Sequence, residues 1–66
     1  MQAYYPKKMG QLVNAGDTVI DFRGQEWEFV KATRITETGK SGKVIVKDKF
    51  NRQREFYAHV FELSVK

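Results

Sequence analysis

Residues 19–35 are rich in β-branched and aromatic side chains, and apolar residues do not recur along the chain at the three-to-four spacing of a helix. Such side chains lose rotamer freedom against a helical turn and fit the pleated surface of a strand. An all-β fold is therefore expected. Gly16-Asp17 reads as a turn before a short strand at 18–22. Arg23-Gly24-Gln25 breaks that strand, with Gly24 able to take a positive φ. A longer strand at 26–35 puts Trp27 and Phe29 on one face and Val30 and Ala32 on the other, which requires a bend or bulge. Residues 43–48 alternate most cleanly, with Val44 and Val46 on one side and Lys43, Ile45 and Lys47 on the other. Polar connections fill 36–42 and 48–53, and a further strand is expected at 54–57. Tyr57-Ala58-His59-Val60 suits one turn of 3₁₀ helix. The alternation at 62–65 closes the chain as a fifth strand with Leu63 inward.

A chain of 66 residues forms one domain near the lower size limit for independent folding. Without cysteine, neither a disulfide nor a cysteine-ligated zinc can brace it. Aromatic area has to serve instead. The one Trp, three Tyr and five Phe each remove roughly 150–250 Å² from water when buried. The expected core is Val13, Val19, Phe22, Trp27, Phe29, Val44, Val46, Phe56, Val60, Phe61 and Leu63. Residues 1–10, with Tyr4, Tyr5 and Pro6, are expected as an N-terminal arm ahead of a barrel spanning 11–66. That arm either packs over the barrel's open end or engages a partner.

Five short strands joined by tight turns, with a 3₁₀ turn before the last, resemble an SH3-like barrel. The resemblance lies in a Gly-Asp turn entering the first strand, a long bent second strand, two hairpins and the 3₁₀ turn, over roughly residues 12–65. The competing five-stranded architecture is the OB-fold, which usually has a helix between its third and fourth strands; no segment here suits one. In SH3-like domains an exposed tryptophan often grips a proline-rich ligand, and Trp27 follows a turn at the corresponding place. The acidic loop and paired tyrosines that complete such a groove are missing, so Trp27 is read as core. A second resemblance, carried by Gly16-Asp17-Thr18-Val19-Ile20-Asp21-Phe22-Arg23-Gly24, Trp27, Gly42-Lys43-Val44, Tyr57 and Val60-Phe61, is to short uncharacterised bacteriophage proteins. It implies a phage accessory protein working in a bacterial cytoplasm.

The formal charge of +4 is unevenly placed. Between positions 40 and 54 stand Lys40, Lys43, Lys47, Lys49, Arg52 and Arg54, against Asp48 alone. Such an excess attracts anions over the screening length. Phe50 lies between two strands among these cations, and a loop aromatic beside phosphate-binding side chains suits stacking on a base. Lys40, Lys43, Lys47, Lys49, Phe50, Arg52 and Arg54 are therefore the candidate nucleic-acid site. The rival function is a protein–protein adaptor or inhibitor of a host protein, using Trp27, the N-terminal arm or a strand edge.

Catalysis is not expected. His59 is the sole histidine, with no partner or cleft evident for general-base work. Ser41 and Ser64 have no histidine placed to activate them. Gly39-Lys40-Ser41 imitates the end of a P-loop, but position 34 is Arg34 where the motif needs glycine, and a strand follows where it needs a helix. No cofactor or metal is expected. Neither Asn14 nor Asn51 starts a glycosylation site, and no membrane span or signal peptide is read. A cytoplasmic monomer or weak homodimer is the expectation.

Overall fold

The computed structural model describes residues 1–34 and 42–66. Its strands are β1 (Ala3–Tyr5), β2 (Gln11–Val13), β3 (Thr18–Ile20), β4 (Glu26–Arg34), β5 (Lys43–Lys47), β6 (Gln53–Tyr57) and β7 (Ser64–Val65). Two 3₁₀ turns interrupt them, at Pro6–Lys8 and Ala58–Phe61. All pairing is antiparallel, in a three-stranded sheet ordered β2-β1-β7 and a four-stranded sheet ordered β3-β4-β5-β6. The all-β expectation holds. Five strands closed into a barrel do not: seven strands occur among the described residues, in two sheets with no closed barrel.

The two additional strands come from the N-terminal region. Ala3 to Tyr5 is no loose arm, because Ala3 pairs with Val13 on one side and Val65 on the other. Gln2 and Lys66 exchange backbone hydrogen bonds of 2.9 Å in both directions, tying the two ends of the described chain together. At the other end of the expected pattern, the last strand is shorter than 62–65. Glu62 has φ 59, so extended pairing begins only at Ser64.

β4 is the long bent strand that its mixed faces require. Phe29 pairs with Val46 and Lys31 with Ile45, leaving Val30 as an extra residue. That bulge resets the two-residue alternation. Lys31 consequently stays outside and Ala32 turns towards the core; without it the lysine would point inward. A second register shift follows between Ala32 and Arg34.

The core gathers Ala3, Val13 and Val65 from the smaller sheet, Val19, Trp27, Phe29, Val44 and Val46 from the larger, and Ala58, Phe61 and Leu63 from the segment joining β6 to β7. Phe56 and Val60 pack against it half-buried. Phe22 does not belong to it, being 76% exposed. Alternation already sets Phe22 with Ile20, opposite the buried Val19, and the strand ends before Phe22 is reached. Ala3, Ala58 and Val65 take the core positions that the pattern did not supply. Gly24 has the positive φ expected of it, 84°, and Gly42 is left-handed too at 102°. Among the described residues, no helix is long and apolar enough to cross a membrane.

Candidate functional site

β3 and β4 are joined by residues 21–25, β5 and β6 by residues 48–52. In an antiparallel sheet ordered β3-β4-β5-β6, both connections emerge at the same end. Each begins with aspartate, and the two repeat one hydrogen-bonding scheme. In the first, the Asp21 N–H donates to the Gln25 carbonyl and Gly24 N–H to the Asp21 carbonyl, both at 3.0 Å. Asp21 Oδ1 accepts from the backbone N–H groups of Arg23 at 2.8 Å and Gln25 at 2.9 Å. In the second, the Asp48 N–H donates to Arg52 and Asn51 N–H to Asp48, again at 3.0 Å. Asp48 Oδ1 accepts from Phe50 N–H at 2.8 Å and Arg52 N–H at 3.0 Å. The fourth residue is left-handed in both, Gly24 at φ 84° and Asn51 at φ 65°. Aspartate is suited to this place because its carboxylate can satisfy amides that a tight loop leaves unpaired.

These bonds hold both carboxyls below the ordinary aspartate value. For Asp21, partial desolvation pulls upward, and is outweighed by the Trp27 indole, the amides of Gln25 and Arg23, and the Arg23 charge. For Asp48, the Arg52 amide leads; desolvation opposes it, and the Phe50 amide with the charges of Arg52 and Arg54 completes the lowering.

Each loop lifts one phenylalanine into solvent under a cation. Phe50 is 64% exposed, with the Lys49 ammonium 5.3 Å and the Arg52 guanidinium 5.2 Å from its ring centre. Phe22, also exposed, carries the Arg23 guanidinium at 5.3 Å. Between the loops lies a cleft of about 370 Å³. Asp21, Phe22 and Arg23 line it from one loop, Asp48 and Arg54 from the other side, and Trp27 and Phe56 from the sheet. Trp27 is only 8% exposed and meets Phe56 edge-on at 5.2 Å, so it is a core residue rather than an exposed ligand grip. Its indole N–H still reaches the site, donating to Asp21 Oδ2 at 3.0 Å.

The seven residues grouped along the chain divide in space. Lys49, Phe50 and Arg52 stand together on the loop. Arg54 opposes Val46 and so lies on the core-side face of β6, where it reaches the cleft. Lys47 lies on the opposite face, paired across with Glu28. Lys43 is at the far end of β5, ion-paired with Glu55 at 3.8 Å and 5.1 Å from the Tyr57 ring centre. Lys40 lies outside the described residues. The outer sheet face is thus mixed in charge, since Glu26, Glu28 and Glu55 share it with Lys31, Lys43 and Lys47. Among the described residues of the larger sheet, the loop end is the more basic surface: Arg23, Lys49, Arg52 and Arg54 meet two carboxylates already engaged by the loops. Phe22 and Arg23 were not in the chain-based grouping. The signal that could have found them is the repeated pattern of aspartate, then a Phe with a basic neighbour, then a Gly or Asn able to turn left-handed.

Among the described residues, His, Asp and Glu form no cluster of three suited to a metal. His59 stacks on Tyr57 at 5.7 Å. Comparison with protein-family models, with curated proteins and with solved structures finds no match for this chain.

Proposed function

We propose that this protein is a non-catalytic binding module for single-stranded nucleic acid, working through the loop end of its larger sheet. The observation that carries the reading is Phe50, exposed at a loop tip with cations on both sequence flanks and Arg54 beside the adjoining cleft. A ring held in this way gives a sequence-tolerant stacking platform, while the cations neutralise backbone phosphates. The chain order of β6, 3₁₀ turn and β7 supports an SH3-like arrangement laid out as two sheets, and a phage accessory role in a bacterial cytoplasm accompanies this reading. The rival is a protein adaptor, favoured by Ile20, 54% exposed, near the exposed Phe22.

Fluorescence anisotropy with a labelled oligothymidine at several salt concentrations tests the proposal. Changing Lys49, Arg52 and Arg54 together to glutamine should flatten log affinity against log salt by about 2 units, at ~0.7 per phosphate contact on a single strand. Lys43→Gln, distant and already paired with Glu55, should leave the slope unchanged. Absence of binding near ~50 mM salt, where electrostatic binding should be strong, would reject the reading.

A further inference from the structure

We infer that the loop at residues 21–25 is a second contact for the same strand, so that one single-stranded nucleic acid is held at two bases, on Phe22 and on Phe50. This rests on the single-strand reading above and adds a site to it.

The first reason is that Phe22 has no structural duty where it stands. Asp21 satisfies the amides of Arg23 and Gln25, and the backbone bonds close the loop without the ring. The ring is three-quarters exposed in a chain whose small core could use every aromatic. Its cationic neighbour repeats the arrangement at Phe50.

The second reason is placement. The two hairpins are separated by two strand intervals, about 10 Å at ~4.8 Å each. Successive bases in a stacked strand rise ~3.4 Å and an unstacked strand reaches further per nucleotide, so the two rings address bases no more than about three nucleotides apart. Both bases must turn out of any stack to lie on the rings, which a duplex does not allow. Arg23 and Arg54 both line the cleft between the loops, where the phosphates of the intervening nucleotides would run. The outer hollow is the poorer route, because Glu26 and Glu28 there meet no exposed aromatic platform, whereas the carboxylates of Asp21 and Asp48 in the cleft are each bound by amides of their own loop.

Two linked contacts raise affinity only when the ligand can span them. Labelled oligothymidines of two and eight nucleotides therefore form the test, with Phe22→Ala, Phe22→Leu, Phe22→Trp and Phe50→Ala. On eight nucleotides, loss of either ring should weaken binding about 5- to 100-fold, the range of one base–aromatic stack. On two nucleotides, either ring alone suffices, and each single alanine variant should lose only about two-fold. Phe22→Leu should behave as alanine does, and Phe22→Trp should retain full binding. Melting temperatures should match the parent protein because both rings are exposed. If Phe50→Ala weakens binding to eight nucleotides but Phe22→Ala does not, the second contact is wrong and the single-loop function stands. If Phe22→Leu binds as well as the parent, no base stacks on Phe22 and the inference fails. If neither oligonucleotide binds at low salt, the function and the second contact fall together.

Discussion

In the loop at 21–25, the second carboxylate oxygen of the aspartate accepts the N–H of a core tryptophan. In the loop at 48–52, the corresponding oxygen faces the Arg52 guanidinium at 3.8 Å, on a residue whose side chain is largely exposed. One backbone solution is thus fastened in two ways, to the hydrophobic core and to a surface charge. The first loop should share the fate of the whole fold, because Trp27 cannot shift without releasing Asp21. The second should loosen locally while the sheet beneath it stays intact.

The largest effect expected from this difference is at Trp27. Trp27→Ala removes a buried ring and its edge contact with Phe56, and should cost about 3–5 kcal/mol, comparable to the stability of a small domain. Trp27→Phe keeps a ring but loses the indole donor, and should cost about 1–3 kcal/mol. Amide hydrogen exchange in the phenylalanine variant separates the loops: Gly24 and Gln25 should lose protection well beyond Asn51 and Arg52. Equal loss in both loops, or a variant as stable as the parent, would mean that the core does not anchor the first loop.

The parts legible in the sequence are those governed by local chemistry. Val44 and Val46 are fully buried between outward residues, as strict alternation requires, and the bulge in β4 follows from apolar residues on both of its faces. The left-handed Gly24 and the 3₁₀ turn at Ala58–Phe61 were legible on the same grounds. β1 was not, because three residues that end just before Pro6 carry no periodicity. Its strand character comes from pairing with Val65, at the opposite end of the chain. The site was half legible for a related reason. A charge count along the chain credits Lys43 and Lys47 in full and omits the glutamates that the sheet sets against them. It also misses Arg23, distant in sequence and adjacent to the same cleft.

Acid should expose the second difference between the loops. Both carboxyls titrate lower in the folded protein than the ordinary value of 3.8. Their ionised forms therefore favour the fold; the contribution is complete above that value and is lost as pH falls through it towards the lowered folded values. Melting temperature should accordingly drop on acidification below about pH 5, and Asp21→Asn with Asp48→Asn together should flatten that drop. A hydrogen bond is the leading stabiliser at both, from the Trp27 indole at Asp21 and the Arg52 amide at Asp48, but two arginine charges, of Arg52 and Arg54, act at Asp48 against that of Arg23 alone at Asp21. Raising salt to ~1 M, where the screening length is ~3 Å, should reduce the Asp48 part more than the Asp21 part. Identical salt sensitivity in the two single variants would remove the distinction between core and surface fastening.

The smallest effects are the most direct check that the two backbones are equivalent. The fourth loop position is Gly24 in one and Asn51 in the other, both left-handed. No heavy atom lies within 4 Å of a Cβ added at Gly24, so a substitution there meets conformational cost without collision. Valine should cost about 1–2 kcal/mol, because a β-branched residue tolerates this region poorly. Asparagine visits it routinely and lowers the entropy of the unfolded chain relative to glycine, so Gly24→Asn should cost under ~1 kcal/mol. The reverse change, Asn51→Gly, should lie within about 1 kcal/mol of the parent, because glycine relieves the left-handed strain while adding entropy to the unfolded chain. Urea melts of the two single exchanges and their double variant provide the measurement. If the loops are interchangeable at this position, the double exchange equals the sum of two small terms, since the substituted residues belong to separate hairpins. If Gly24→Asn alone costs more than ~2 kcal/mol while Asn51→Gly is silent, Trp27 restrains the first loop so tightly that its backbone no longer tolerates what the second accepts.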